Sequence, residues 1–266
     1  MRTLKGKVAV VTAATRGIGY ACVKCLAEEG AVVYMGARNM EKAKARAEEL
    51  NRAGCTVKTV YNDATEKRSY ATMMEEVISK EGKIDILVNN FGTSNPKKDL
   101  DIKRTIYEEY MHTIELNLAS VFLPSQAVVP HMAANGGGSI INISSVGGVC
   151  PDISQIAYGT SKAAINYLTK LIAVQCARDN IRCNAVLPGM TATEAVEDNL
   201  SPEFKEFFLK HTPIRRMGAP EEVAGTVCYF ASDDSAYTTG QIVEVSGGFG
   251  LPTPVFGDMI EAKSKR

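Results

Sequence analysis

Neither sign of charge is in excess in this 266-residue chain, where 30 Lys and Arg balance 30 Asp and Glu. A balanced chain projects no long-range field toward nucleic acid or anionic lipid, so neither is expected as a partner, and small neutral or locally matched ligands fit better. No stretch approaches the ~18–20 consecutive apolar residues of a membrane span, and Met1 to Val11 lacks the apolar length of a secretory signal. The protein is expected in the cytoplasm. Pro/Ser-rich bridges, low-complexity blocks and internal repeats are missing as well. Nothing therefore marks a linker, and one domain over residues 1–266 is expected.

Cysteine is present without a pairing pattern. The seven residues (Cys22, Cys25, Cys55, Cys150, Cys176, Cys183 and Cys228) are odd in number and scattered, which fits reduced thiols better than a disulfide framework. Cys22-x-x-Cys25 has the spacing of a redox or zinc motif. No second Cys/His pair answers it, however, and within a helical pattern the two read as buried apolar thiols. No metal site is expected.

What the chain does have is 45% hydrophobic residues, enough for a large core. Short apolar runs alternate with helical periodicity. Strands are expected at Val8–Thr12, Ala31–Gly36, Thr56–Tyr61, Ile84–Asn89, Ser139–Ile143, Arg182–Leu187 and Ile242–Val245. Helices are expected near Tyr20–Glu29, Met40–Ala53, Lys67–Glu81, Ile106–Ala134, Gln155–Arg178 and Pro220–Ala231. Charge-rich stretches such as Glu41 to Arg52 read as solvated helix faces. Such alternation predicts an α/β fold built on a seven-stranded, doubly wound parallel sheet with helices on both faces. Ligands of such sheets bind beyond the carboxyl ends of the strands.

Two clusters carry chemistry. Thr12-Ala13-Ala14-Thr15-Arg16-Gly17-Ile18-Gly19 joins the first strand to a helix. Gly17 and Gly19 would let the backbone approach a pyrophosphate, and the free N–H groups of the helix start would attract it; the same residues also suit a tight turn that binds nothing. In the second cluster Ser145 precedes Tyr158 and Lys162, which stand at i and i+4 on one helix face. A cation beside a phenol favours the phenolate and makes it a usable acid near neutrality. Alone, a Tyr-x-x-x-Lys pair equally describes a helix surface.

Taken together the motifs resemble the short-chain dehydrogenase/reductase family from about Lys5 to Gly250. Thr12 to Gly19 resembles T-G-x-x-x-G-x-G, Asn89-Asn90-Phe91-Gly92 resembles N-N-A-G, and Pro188-Gly189 with Thr193 resembles P-G-x-x-x-T. The resemblance implies a single-domain Rossmann fold, with a cofactor half roughly at 1–145, a catalytic and substrate half roughly at 146–250, and a tail at 251–266. It implies catalysis by Ser145, Tyr158, Lys162 and Asn117. Tyr158 would be the acid/base and Lys162 would lower its pKa and hold the nicotinamide ribose. Ser145 would hold the substrate oxygen, and Asn117 would position a water linking Lys162 to solvent. Cofactor contacts are implied for Thr12, Thr15, Arg16, Gly17, Ile18, Gly19, Asp63, Ala64, Asn90, Gly92, Gly189, Thr191 and Thr193, with Asp63 at the adenine and Thr193 at the carboxamide. Substrate would meet Ser145, Tyr158 and Gly189.

The second strand ends Gly36-Ala37-Arg38, and Ala37 takes the place where the family's NAD users carry aspartate. Arg38 and Arg16, without a carboxylate between them, describe a site for the 2′-phosphate, so NADP is the expected cofactor. Two residues depart from the family pattern. Ala13 replaces a glycine and is compatible with the loop at negative φ, where its Cβ is unpenalised. Phe91 replaces an alanine, either against the cofactor or within the core.

Met190 to Pro213 resembles the family's variable lid in position, and Phe204, Phe207, Phe208 and Leu209 recur at helical spacing. They suit a large apolar substrate, or packing on the body or another subunit. The tail holds Pro252, Pro254, Phe256 and Met259, apolar enough to fold back over a pocket or a neighbour. Over its whole length the chain resembles bacterial members that interconvert 7α-hydroxyl and 7-oxo groups on bile acids. The implied substrate is a bile acid or another bulky alcohol or ketone. Reductases of 3-oxoacyl groups on acyl carrier protein share the motifs. An acidic carrier favours basic residues at the entrance, and His131 to Asn135 has no Lys or Arg. A cofactor-binding sensor without chemistry would show a broken Tyr/Lys pair, which is intact here. The family also implies a homotetramer, with Val121, Phe122, Val128 and Val129 of the long helix facing a partner or packing on the sheet.

Overall fold

Uninterrupted apolar runs become strands covered on both faces. In the computed structural model, which describes residues 3–264, β1 (Val8–Val11) is buried at every position, as a strand between two helical layers must be. With β2 (Val32–Ala37), β3 (Thr56–Tyr61), β4 (Ile86–Asn89), β5 (Gly138–Ile143), β6 (Ile181–Pro188) and β7 (Ile242–Val245) it forms one seven-stranded sheet. The order is β3-β2-β1-β4-β5-β6-β7 and every neighbouring pair is parallel. Chain direction through the sheet switches between β1 and β4, the place where such folds open a crevice. The expected domain's ends, residues 1–2 and 265–266, lie outside the described residues.

The six expected helices form with ends shifted by a few residues: α1 (Gly17–Glu28), α2 (Met40–Arg52), α3 (Lys67–Glu81), α4 (Tyr107–Ala134), α5 (Ile156–Cys176) and, late in the chain, α8 (Pro220–Ala231). One core layer joins α1, α2 and α8 to the sheet, and the other joins α3, α4 and α5 to its opposite face. Between β6 and α8 lie two short lid helices, α6 (Glu194–Asn199) and α7 (Pro202–Lys210), and the tail ends in α9 (Phe256–Ser264). Ser201 accepts from the Phe204 amide and Pro202 opens the helix, so α7 starts with a cap and a pre-set φ.

Two expectations are corrected, for the cysteines and for Ala13. Cys25 on α1 and Cys228 on α8 are paired as a disulfide across 203 residues, because the two helices pack side by side on one face; the other five cysteines are free. Val121 and Val128 are wholly buried against the sheet, while Phe122 is exposed. Ala13 has φ of 51°, so the loop keeps its glycine-type backbone with a methyl in the left-handed region.

That conformation costs a residue with a Cβ about 1 kcal/mol, and glycine's greater freedom in the unfolded chain returns part of it. Ala13→Gly is expected to stabilise the protein by about 0.5 kcal/mol, read as a higher urea midpoint at unchanged slope.

Candidate active site

The loop after β1 is shaped by close approach. A Cβ on Gly19 would lie 2.5 Å from Asn90 Nδ2 and 2.6 Å from the Ala13 carbonyl oxygen, and Gly17 takes φ of 52°. Thr12 Oγ1 accepts from the Asn90 amide at 2.9 Å, and Asn90 Nδ2 donates to the carbonyls of Thr12 and Ala13, each at 3.1 Å. Thr12 and Asn90 therefore brace the loop from β4. Helix α1 begins at Arg16 with no side-chain cap and no acidic residue in its first turn, which leaves the N-terminal amides and the positive dipole end for an anion. These features suit a dinucleotide's pyrophosphate.

At the ends of β2 and β3, Ala37 supplies no carboxylate, and the side chain of Arg38 is 74% exposed with its Nε 3.8 Å from Asp63 Oδ2. Asp63 Oδ1 accepts from the Thr65 amide at 2.9 Å and its hydroxyl at 2.8 Å. These bonds, with Arg38, hold its carboxyl below the usual range against the opposing effect of burial. Arg16 is exposed on the adjoining loop, and Ala64 is buried beside Asp63. Phe91 packs into the core beneath α3, α4 and α5.

Ser145 follows β5 and Tyr158 and Lys162 stand on α5. The Ser145 hydroxyl favours the ionised form of the Tyr158 phenol, and it accepts from the Gly147 amide at 3.1 Å. Lys162 is 2% exposed. Its ammonium donates to the Ile143 carbonyl at 2.9 Å and lies 5.6 Å from the centre of the Tyr158 ring. A Cβ at Gly92 would come within 2.8 Å of that ammonium, so the glycine keeps its surroundings open. Burial pushes the ammonium pKa down to about 8. Burial also raises the phenol, and Ser145 only partly offsets it. The sequence suggests a phenol lowered by Lys162; in the folded chain burial holds it above its ordinary value, and the opposing influence comes from Ser145. Asn117 is wholly buried on α4. Its amide donates to the Thr93 carbonyl and the Ser161 hydroxyl and accepts from the Thr93 amide, so its side chain braces α5.

A cavity of about 960 Å³ opens over this cluster. Ile18, Asn90, Gly92, Ser145, Tyr158, Lys162, Gly189, Thr191 and Thr193 all line it. Thr12, Thr15, Arg16, Gly17, Gly19, Arg38, Asp63, Ala64 and Asn117 support or flank it instead. A Cβ on Gly189 would meet Ser246 Cα at 2.8 Å, so this glycine permits β6 to end against the loop after β7. Thr193 caps α6 and sits against Gly17, which joins the lid to the cofactor loop.

Sequence motifs give no sign of the cavity's far wall: Leu100 and Ile102 come from the loop before α4, and Val149, Pro151 and Ile153 from the loop before α5. Phe204 and Phe208 close it from α7. Phe208 stacks on Phe249 with ring centroids 4.3 Å apart, whereas Phe207 lies edge-on to His211. The tail does fold back: Lys210 at the end of α7 pairs with Asp258 at 2.8 Å and Glu261 at 3.1 Å on α9.

Because Lys162 titrates from about 8 when folded rather than from 10.5, the unfolded chain binds the extra proton between those pH values. Stability contributed at this site therefore rises with pH across that window. Lys162→Met should raise the unfolding free energy at pH 7 by about 1–2 kcal/mol, once the orphaned Ile143 carbonyl is allowed for. Denaturation curves of both proteins should converge as pH rises through the window.

A profile of the family described as enoyl-(acyl carrier protein) reductase matches residues 12–250. The 7alpha-hydroxysteroid dehydrogenase of Clostridium sardiniense is 50% identical over 97% of this chain and 98% of its own. That of Paraclostridium sordellii is 48% identical over 99% of each. A solved 7 alpha-hydroxysteroid dehydrogenase complexed with NADH and 7-oxo glycochenodeoxycholic acid is 34% identical, with a TM-score of 0.88 over 93% of this chain and 95% of that one. With the glycine loop, the Ser-Tyr-Lys cluster and the sheet order all in place, the chain belongs to the short-chain dehydrogenase/reductase family, nicotinamide-dependent oxidoreductases of alcohols and ketones.

Proposed function

We propose that this enzyme interconverts a 7α-hydroxyl and a 7-oxo group on bile acids, with NADP as cofactor and Tyr158 as acid/base. One observation supports the reading above all: the Ser145–Tyr158–Lys162 cluster lies at the floor of a large cavity walled by Leu100, Ile102, Val149, Ile153, Phe204 and Phe208. A rigid apolar ring system matches that wall, and the polar cluster meets one oxygen on it. Among the described residues lining the cavity, Lys162 is the sole Lys or Arg. The acid end of the substrate's side chain therefore stays at the mouth, and free and conjugated bile acids serve alike.

NADPH, when bound, supplies the hydride at its nicotinamide C4. In reduction Tyr158 gives its phenolic proton to the carbonyl oxygen as charge develops there, and the Ser145 hydroxyl holds that oxygen. In oxidation Tyr158 takes the proton from the 7α-hydroxyl. Lys162 stands behind the phenol as the charge that steadies the phenolate, and Gly92 leaves room beside it for the nicotinamide ribose. The same resemblance, with exposed Tyr107, Phe122, Tyr167 and Val174 on α4 and α5, supports a homotetramer.

With cholic acid and NADP+, absorbance of the reduced nicotinamide should rise in the wild type and stay flat for Tyr158→Phe, whose NADPH affinity is retained. Turnover of acetoacetyl thioesters with silence on bile acids would sink the substrate assignment. Because the phenol is held above its ordinary value, oxidation should accelerate as pH rises through the alkaline range, and reduction should not. For the cofactor, Ala37→Asp with Arg38→Leu should shift the NADP/NAD preference about 100-fold toward NAD, since a carboxylate repels the 2′-phosphate.

A further inference from the structure

A buried carboxylate outside the catalytic cluster has an unusual set of partners. Asp99, in the loop between β4 and α4, is 1% exposed, and no Lys or Arg among the described residues pairs with it. Its Oδ1 accepts from the Ala157 amide at 2.8 Å and its Oδ2 from the Tyr158 amide at 2.9 Å. The Ser94 hydroxyl lies 3.4 Å from Oδ2. The main-chain carbonyl of Asp99 takes the Gln155 amide, and that of Leu100 takes the Ile156 amide, each at 3.2 Å. Four successive amides at the start of α5, normally orphaned, are therefore all satisfied by a two-residue segment nearly sixty positions upstream.

Helix α5 cannot cap itself. Its N-cap residue Gln155 has φ of 57° and ψ of 47°, with no side-chain cap, and its first turn has no acidic residue. A non-glycine residue in the left-handed region persists only where the surroundings impose it. Asp99 supplies what the helix lacks, a carboxylate on the free N–H groups at the positive dipole end. Tyr158 is the third residue of this helix, so the direction of its phenol depends on the turn that Asp99 holds.

The neighbours of Asp99 extend the consequence. Leu100, Asp101 and Ile102 line the cavity, as do Asp152 to Ile156; the carboxylate ties the first segment to the helix that follows the second. We propose that Asp99 is a positioning residue that fixes the first turn of α5, and with it the Tyr158 phenol, against the substrate wall. The proposal rests on the reading of Tyr158 as acid/base.

Asp99→Asn keeps the size but removes the charge and turns one acceptor into a donor facing an amide. Its kcat for cholic acid should fall about 10–100-fold, with NADPH affinity changed by no more than about twofold, since misplacement acts on the chemical step and the cofactor loop lies on other elements. Assays run well below the measured thermal midpoint of each protein. Should Asp99→Asn fold poorly, the same substitution is made on Gln155→Gly, which relieves the left-handed strain, and compared with Gln155→Gly alone; the kcat loss should persist. A folded variant with lowered thermal midpoint but unchanged kcat would overturn the proposal. Tyr158→Phe is assayed in parallel. If it stays active, the acid/base reading falls; if it is dead while Asp99→Asn keeps full kcat, only the positioning role falls.

Discussion

A parallel sheet can join its strands only through crossovers that return the chain to the same side, so all seven strands of this protein end at one edge. The glycine loop follows β1, Asn90 and Gly92 follow β4, Ser145 follows β5 and Gly189 follows β6. No long-range motif has to bring these residues together, because the register does. The apolar strands are the cause and the cavity is the result: burying β1, β4, β5 and β6 between two helical layers leaves their carboxyl ends as the place where polar groups can collect.

Several members of the site are held against their own preference. Lys162 is buried with one carbonyl acceptor, and Tyr158 is desolvated beside it. Ala13 and Gln155 both carry a side chain in the left-handed region. Each costs stability where it stands, and each is kept in place by bracing from another element: Asn90 for the loop, Asn117 and Asp99 for α5. An environment assembled this way is ready before any ligand arrives, which is the condition for electrostatic and orientational catalysis.

The strands and six long helices were legible because their periodicities are strong and local, and their boundaries differ from expectation by at most three residues. The Ser145–Tyr158–Lys162 cluster was legible through Tyr158 and Lys162, four apart on a helix, which no fold information is needed to see. The lid helices α6 and α7 are too short for periodicity to define, although the apolar spacing of Phe204 and Phe208 pointed to them. Asp99 has no motif; only the fold reveals that its carboxylate faces the start of α5. Cys25 and Cys228 were likewise invisible as a pair, since their meeting depends on two helices packing on one face. The backbone of Ala13 could not be read from its neighbours, because a loop dictated by close packing overrides the conformational preference of one methyl.

The tie from Lys210 to Asp258 and Glu261 makes the last helix part of the cavity's outer rim. The two chain ends are therefore unequal as attachment points. Leu4 leads into β1 at the amino edge of the sheet, opposite the edge where the cavity opens, whereas anything appended after α9 hangs from α7. For immobilisation on a resin, or for coupling to a cofactor-recycling enzyme, the amino end is the rational handle.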